Sequence, residues 1–136
     1  MAYKGKFRPH NIKKYRGNHK GIIYRSLWEL RFMRYCDSTP SILEWASEEL
    51  IIQHRYFPDF WLKVKTVEGK IKESVIEIKP KIQTTPPKKR NKITRKYLKE
   101  VKTWGVNEAK WKAAEAYCKD RDWSFKIITE KELTKY

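Results

Sequence analysis

The chain has 136 residues, a length typical of one domain with a modest hydrophobic core. Its 32 Lys and Arg against 16 Asp and Glu give a net charge of +16, which indicates a polyanionic partner such as nucleic acid. The aromatic content of 14% is too high for a wholly disordered chain, and no apolar run approaches the roughly 18 residues of a membrane span. The first ten residues lack the apolar stretch of a signal peptide, so we expect the protein to begin in a cytosol.

The excess positive charge is concentrated in two segments. Residues 1–25 contain eight basic residues and no acidic one, and residues 79–102 contain ten basic residues and one acidic one. The remaining 14 basic residues are balanced by 15 acidic residues. A merely solvated surface is the alternative, but solubility needs a net charge of only roughly 2–8. Membrane lipid is a weaker alternative, because these segments lack a large apolar helix face. We therefore predict a basic N-terminal arm over residues 1–22 and a folded domain over residues 23–136.

The two cysteines, Cys36 and Cys118, lie far apart and form no CxxC pair. A cytosolic disulfide is uncommon, and two cysteines are too few for a cysteine zinc site. We expect both to be buried apolar side chains.

Spacing and capping residues predict the first half of the domain. A helix covers residues 24–36, with Ser26 as its N-cap, and Pro40 follows it. Three strands come next, with a turn at Gly69 between the last two, and they span residues 49–57, 59–67 and 71–79.

The second half begins with a loop, because the adjacent prolines at 86 and 87 cannot continue a regular element. An amphipathic helix over 93–104 ends at Gly105, and a second helix over 107–121 begins at Asn107. A strand over 123–128 and a short helix with a Thr129–Glu132 capping box complete the chain. This order predicts an α/β fold in which helices flank a mixed β-sheet.

Charged residues interrupt the apolar strand over 71–79. Glu77 and Lys79 are two residues apart and point to the same face. If Val67 pairs with Ile71 across a three-residue loop, Asp59 falls opposite Lys79 and on the face of Glu77. A two-residue turn would place Asp59 on the other face, so the pattern predicts an odd loop length or a bulge.

Two adjacent carboxylates repel each other, and their oxygens suit Mg²⁺ or Mn²⁺. A neighbouring lysine can position the attacking water and neutralise charge in the transition state, so the pattern is sufficient for metal-assisted phosphodiester hydrolysis. The alternative is a simple Glu77–Lys79 ion pair on a half-exposed strand, since PD followed by ExK is a short pattern. Against it, both strands are largely apolar around these charges, at Phe57, Phe60, Trp61, Ile76 and Ile78.

Glu29 has two interpretations of equal weight on spacing alone. It lies three residues after Ser26, which is the spacing of a capping box. It is also placed to bring a third carboxylate to the site from the first helix. The preceding Arg25 could contact a phosphate or pair with an acid.

Five segments together resemble the head completion nucleases of T-even-type tailed phages and, more distantly, the nuclease subunit of heteromeric transposases. The segments are YRSLWE, RYFPDFW, VIEIKPK, KTWGVNEAKWKAAEAYC and FKIITEKEL. Both groups belong to the PD-(D/E)xK superfamily, so the resemblance implies a restriction-endonuclease-like fold and a Mg²⁺-dependent DNA endonuclease, with Mn²⁺ as a possible substitute. It implies that Asp59 and Glu77 bind the metal, that Lys79 is the catalytic lysine and that Glu29 completes the catalytic site.

The resemblance also implies action on the DNA-filled head before tail attachment. DNA and the portal, connector or other head-completion proteins are then the expected partners, without a membrane or small-molecule cofactor. We expect the protein in the head–tail connector region of the virion, and in the host cytoplasm during assembly. The expected DNA-contacting residues are basic and follow the site or precede the first helix: Arg25, Lys81, Lys88, Lys89, Arg90, Lys92 and Arg95.

Two other functions remain open from the sequence. The protein could be a non-catalytic DNA-binding connector or plug of the virion, in which the site matters little. It could also be a transposon end-cleaving subunit, which requires a partner transposase.

Overall fold

The computed structural model describes residues 4–52 and 56–136. A four-stranded sheet in the order β3-β4-β5-β6 forms its centre, with β3, β4 and β5 antiparallel and β6 parallel to β5. The strands are β1 Gly5–Lys6, β2 Ile23–Tyr24, β3 Ile42–Ser47, β4 Phe60–Lys65, β5 Ile71–Ile78 and β6 Ser124–Ile128. The α-helices are α1 Leu27–Ser38, α2 Arg95–Asp120 and α3 Glu130–Leu133. The predicted mixed sheet flanked by helices is therefore confirmed.

Helices cover both faces of the sheet. On one face α1 and α3 pack against the main apolar cluster, to which α1 contributes Phe32 and Met33 and β5 contributes Ile76 and Ile78. On the other face α2 contributes Ala114 to a smaller cluster. Successive strand residues face opposite sides, so Glu77 lies on the α2 face of β5. Both cysteines are buried and unpaired, as predicted.

The first predicted strand is wrong in position. The strand that pairs with β4 is Ile42–Ser47, whereas residues 49–52, 56 and 57 form only an isolated bridge between Ile52 and Tyr56. The rest of that prediction, residues 53–55, lies outside the described part of the chain. β3 contains Glu, Ala and Ser, which have weak strand propensity, but Ile42 and Trp45 bury it in the core.

The hairpin between β4 and β5 has the predicted parity and a different register. Lys65 pairs with Ile71, so the loop holds the five residues 66–70 instead of three. The amide of Thr66 donates to the carbonyl of Lys70 at 2.7 Å, and Gly69 adopts a left-handed φ of 84°. Since Phe60 pairs with Ile76, continuing the register places Asp59 opposite Glu77 and not opposite Lys79. The odd loop length keeps all three charges on one face.

The two predicted helices over 93–104 and 107–121 are one continuous helix, α2. Thr94 caps its start by accepting a hydrogen bond from the amide of Tyr97 at 3.2 Å. Gly105 lies inside the helix, where it costs about 1 kcal/mol relative to Ala, and Asn107 is buried instead of capping. The rings of Trp104 and Trp111 pack edge to face across this point, which favours continuity.

The short C-terminal helix begins after Thr129 as predicted, but the capping box does not form. The Thr129 side chain makes no capping hydrogen bond, and its backbone carbonyl accepts from the amide of Leu133 instead. The glutamate of the predicted box, Glu132, is paired with Lys126 at 3.8 Å.

Described residues of the predicted N-terminal arm pack against the domain. Phe7, Tyr15 and Ile22 belong to the main apolar cluster, and β1 pairs with β2. The ammonium of Lys14 donates to three carbonyls at the end of α1, and the carboxylate of Asp37 accepts two amides from the arm. The boundary at residue 22 stays a prediction. Among the described residues, no helix is both long and apolar enough to cross a membrane.

Candidate active site

Two carboxylates lie together where β4 begins and β5 ends. Asp59 is half-buried and accepts a 2.8 Å hydrogen bond at Oδ2 from the amide of Ile78. Glu77 is only 4% exposed, and burial, reinforced by the charge of Asp59, raises its pKa to about 7. Burial also raises the pKa of Asp59, against the opposing effects of the Ile78 amide and the Lys79 ammonium. The structure thus brings together the two carboxylates that the sequence singled out.

Tyr56 holds one of these carboxylates in place. Its hydroxyl donates a 2.7 Å hydrogen bond to Oε1 of Glu77. The tyrosine is buried, and burial together with the charge of Glu77 raises its pKa far above the usual value, so it remains a hydrogen-bond donor. The sequence analysis assigned no role to Tyr56.

Glu29 takes part in the start of α1 as the capping interpretation predicted, and its catalytic role stays a prediction. The hydroxyl of Ser26 accepts the Glu29 amide at 3.2 Å, and Glu29 Oε2 accepts the amide of Arg25 at 3.3 Å, so the helix start is capped. Burial and then the charge of Asp59 raise the pKa of Glu29 to about 7. Its carboxylate therefore lies within electrostatic reach of Asp59.

A further acid, Glu48, borders the site and was missed from the sequence. Its amide donates to the carbonyl of Asp59 at 3.1 Å, and it adopts a left-handed φ of 53° at the end of β3. The Arg25 guanidinium donates two hydrogen bonds to the Glu48 carboxylate, from Nε to Oε1 at 3.0 Å and from Nη2 to Oε2 at 3.3 Å. Arg25, predicted as a DNA-contacting residue, is thus exposed but paired with an acid.

Lys79 lies directly after β5, where its amide donates to the carbonyl of Ile128 at 3.0 Å. Its ammonium lowers the pKa of both Asp59 and Glu77, which places it within electrostatic reach of both carboxylates. Two residues later, the amide of Lys81 donates to both oxygens of Glu130, at 3.0 and 3.2 Å.

The remaining predicted DNA-contacting residues follow Lys79 and Lys81 in the chain, up to the first residue of α2. Lys88, Lys89, Arg90 and Lys92 are exposed in the loop before α2, and Arg95 is the first residue of the helix. Arg90 pairs with Glu100 at 3.6 Å, which ties the loop to the helix. These residues form an exposed basic surface that follows Lys79 in the chain.

The donor set fits a hard divalent cation that takes few protein ligands. Within residues 4–52 and 56–136, no three His, Cys, Asp or Glu side chains are close enough to hold a metal ion together. Mg²⁺ is commonly bound through one or two carboxylates, with water and substrate phosphate as its other ligands. The hydrogen bonds from Tyr56 and Ile78 use one oxygen of each carboxylate. Burial raises the Glu77 pKa most and the charge of Asp59 adds to it, and a bound cation would offset the repulsion between the two charges.

Comparison with known proteins identifies the family. The model for the TnsA-like endonuclease N-terminal domain matches residues 33–130, a span that contains Asp59, Glu77 and Lys79. The chain is also 42% identical over 146 aligned positions to the head completion nuclease of Enterobacteria phage T4. That alignment covers 98% of this chain and 95% of the phage protein. The chain therefore belongs to the TnsA-like endonuclease family.

Proposed function

We propose that the protein is a divalent-metal-dependent DNA endonuclease that acts in phage head completion, hydrolysing phosphodiester bonds of packaged or protruding DNA before tail attachment. The observation that carries the chemistry is the buried Glu77 next to the half-buried Asp59, with Lys79 beside them at the end of β5. The near-full-length similarity to a protein named as a head completion nuclease supports the biological setting.

In this proposal Asp59 and Glu77 hold Mg²⁺, for which Mn²⁺ can substitute. The cation supplies Lewis-acid polarisation of the phosphate and a lowered pKa for water when it is bound. Tyr56 fixes the orientation of the Glu77 carboxylate through its 2.7 Å hydrogen bond. Because the acids are buried and repel each other, the site gains most from a cation when both are ionised.

The other site residues act on water and DNA. The Lys79 ammonium positions the attacking water and neutralises negative charge that develops on the phosphate. Glu29, whose pKa is about 7, can accept a proton near neutral pH and completes the site. Arg25, Lys81 and the basic side chains of the loop before α2 bind phosphates on either side of the cut. Such contacts give sequence-independent, salt-sensitive binding.

The proposed setting is the head–tail connector region of the virion, with host cytoplasm as the site of assembly. The portal, connector or other head-completion proteins are the expected protein partners. A net charge of +16 suits a protein that must find DNA at the mouth of a filled head.

The test is a low-salt cleavage assay on linear duplex, single-stranded and branched DNA, with Mg²⁺, Mn²⁺ or EDTA. Glu77→Gln should lower the cleavage rate at least about 100-fold, because it removes one of the two charges that hold the cation. Glu73→Gln makes the same chemical change four positions earlier on β5 and should cleave like wild type. Cleavage by Glu77→Gln at the wild-type rate would refute the site. Binding without cleavage on every substrate would favour the connector function.

A further inference from the structure

Helix α2 extends beyond the end of the sheet at which β5 stops and the site lies. Residues 121–123 join α2 to β6, and α2 packs on β6 and β5, so it runs antiparallel to both strands. Within α2, the buried residues all lie between Asn107 and Cys118. The stretch over 95–106 therefore continues for about 18 Å beyond the packed part, at the end of the sheet where β5 stops.

Lys110 shows which side of α2 faces the site. Its ammonium lies 5.7 Å from the centre of the Tyr56 ring, and Tyr56 is hydrogen-bonded to Glu77. Helix positions three or four residues apart share a face. Steps of that size from position 110 lead through 106 and 103 to Lys99 and Lys96. We call Lys96, Lys99 and Lys110 the lysine row.

The lysine row is exposed and makes no salt bridge within the described chain. Arg95 and Lys102 flank the row and are equally exposed and unpaired within the described chain. The exposed apolar side chains Leu98 and Val101 lie on a different side of the helix, whereas the exposed Val106 lies on the side of the row, between its last two lysines. The row therefore offers a polyanion one positive charge beside the site and two more on the same side of the helix, farther along the extended stretch.

We propose that the lysine row binds the sugar-phosphate backbone of duplex DNA on one side of the scissile phosphate. This inference rests on the proposed nuclease function and specifies its substrate as a duplex. The row is about 21 Å long, which matches roughly six base pairs of B-DNA. A continuous helix holds its charges at fixed spacing, and the backbone of a duplex presents phosphates at fixed spacing, whereas a flexible single strand does not. Contacts of this kind add affinity without sequence preference.

The experiment compares two triple variants that lose the same charge. Lys96→Gln/Lys99→Gln/Lys110→Gln removes the row. The matched control replaces Lys70, Lys72 and Lys119, three exposed lysines at the other end of the sheet, by Gln. Binding to a 30-base-pair duplex and to a single strand of equal length is measured by fluorescence anisotropy, in EDTA and from 50 to 200 mM salt.

The row variant should bind the duplex at least 10-fold more weakly than the control variant. Its dependence of log affinity on log salt should be shallower by about 2–3, since each lost phosphate contact removes roughly 0.9. The loss should be smaller on the single strand. Equal losses in the two variants, equal losses on the two substrates, or no duplex binding by wild type would each overturn the inference.

Two controls distinguish failure of DNA binding by the lysine row from failure of the proposed nuclease site. Circular dichroism and urea unfolding check that each variant folds, and Lys96→Gln/Lys99→Gln, which leaves the packed part of α2 intact, replaces the triple variant if it does not fold. Wild-type cleavage with an unimportant row refutes only the duplex contact. Unchanged cleavage by Glu77→Gln refutes the nuclease site whatever the row does.

Discussion

The two ends of β5 carry similar residue types in opposite surroundings. At its start, a cavity of about 610 Å³ is lined by charged and polar side chains, among them Lys70, Lys72, Glu73 and Arg121. At its end, Glu77 is buried beside Asp59 and hydrogen-bonded to Tyr56. Charges at an open cavity keep their hydration, whereas burying one carboxylate next to a second, half-buried one costs free energy that folding alone does not require. The end with the buried Glu77 is therefore the better candidate for chemistry.

Glu73 and Glu77 make this comparison direct, because they are the same residue type on one strand. Glu73 is half-buried and accepts a 3.2 Å hydrogen bond from the Trp61 indole, an ordinary contact between neighbouring strands. Glu77 has an acid and a lysine as neighbours and a pKa of about 7. A function that depends on the end of β5 must be sensitive to Glu77 and insensitive to Glu73.

The largest effect is expected from removing the second carboxylate. Asp59→Asn keeps the side-chain shape and can still accept the Ile78 amide, but it removes the charge that a cation needs. Cleavage in Mg²⁺ should fall at least about 100-fold, while duplex affinity in EDTA should be unchanged or slightly higher. Cleavage rates and anisotropy on the same preparation measure both. A variant that loses affinity and cleavage in parallel would show that Asp59 supports DNA binding and not the chemical step.

The pH dependence of stability should also separate the two ends. The folded-state pKa of Glu77 is about 7, above its ordinary value of 4.5, so the folded state binds a proton that the unfolded state releases. The free energy of unfolding therefore falls as pH rises between about 4.5 and 7, by about 3 kcal/mol from this group alone. Urea unfolding in EDTA at pH 5 and pH 8 should show a smaller fall for Glu77→Gln than for wild type. Glu73→Gln should follow wild type, and identical pH profiles for the two glutamine variants would contradict this account.

An intermediate effect is expected from Tyr56→Phe. The substitution removes the hydrogen bond to Glu77 and keeps the ring, so the carboxylate loses its fixed orientation. Residues that hold metal ligands in place typically contribute 10- to 100-fold in metal affinity or activity. The Mg²⁺ concentration for half-maximal cleavage should rise about 10-fold, with recovery at saturating Mg²⁺. If only the maximal rate falls, Tyr56 does not act by positioning the ligand.

The smallest effects are expected at two glycines near opposite ends of the sheet. Gly105 lies inside α2 with open space around it, so Gly105→Ala should stabilise the protein by up to about 1 kcal/mol. Gly69, in the loop before β5, has a φ of 84°, and Gly69→Ala should destabilise the protein by roughly 1 kcal/mol. Thermal unfolding of the two variants checks the signs. Destabilisation by Gly105→Ala would mean that α2 is interrupted at that point.

Sequence reasoning identified Asp59, Glu77 and Lys79 because strand periodicity alone puts them on one face whenever the hairpin loop is odd. The register itself was wrong by two residues, since the hydrogen bonds between Thr66 and Lys70 close a longer loop. The parity mattered for the site, and the register did not.

Two neighbours of the site were not predictable from spacing. Glu48 borders the site where the chain takes a left-handed conformation directly after β3. The sequence did not predict β3 as a strand, because several of its residues have weak strand propensity. Tyr56 lies outside the strands of the sheet, and only the tertiary fold brings its hydroxyl to Glu77. The continuity of α2 was hidden for a related reason, because side-chain packing at Trp104 and Trp111 outweighs the local preference of Gly105.

A Mn²⁺ titration by isothermal calorimetry at pH 7.5, without DNA, tests whether Asp59 and Glu77 bind the cation. Wild type and Glu73→Gln should bind the cation with the same affinity. Glu77→Gln and Asp59→Asn should each bind it at least 10-fold more weakly, because each removes one of the two carboxylates. Equal Mn²⁺ affinity in all four proteins would contradict the assignment of Asp59 and Glu77, at the end of β5, as the metal ligands.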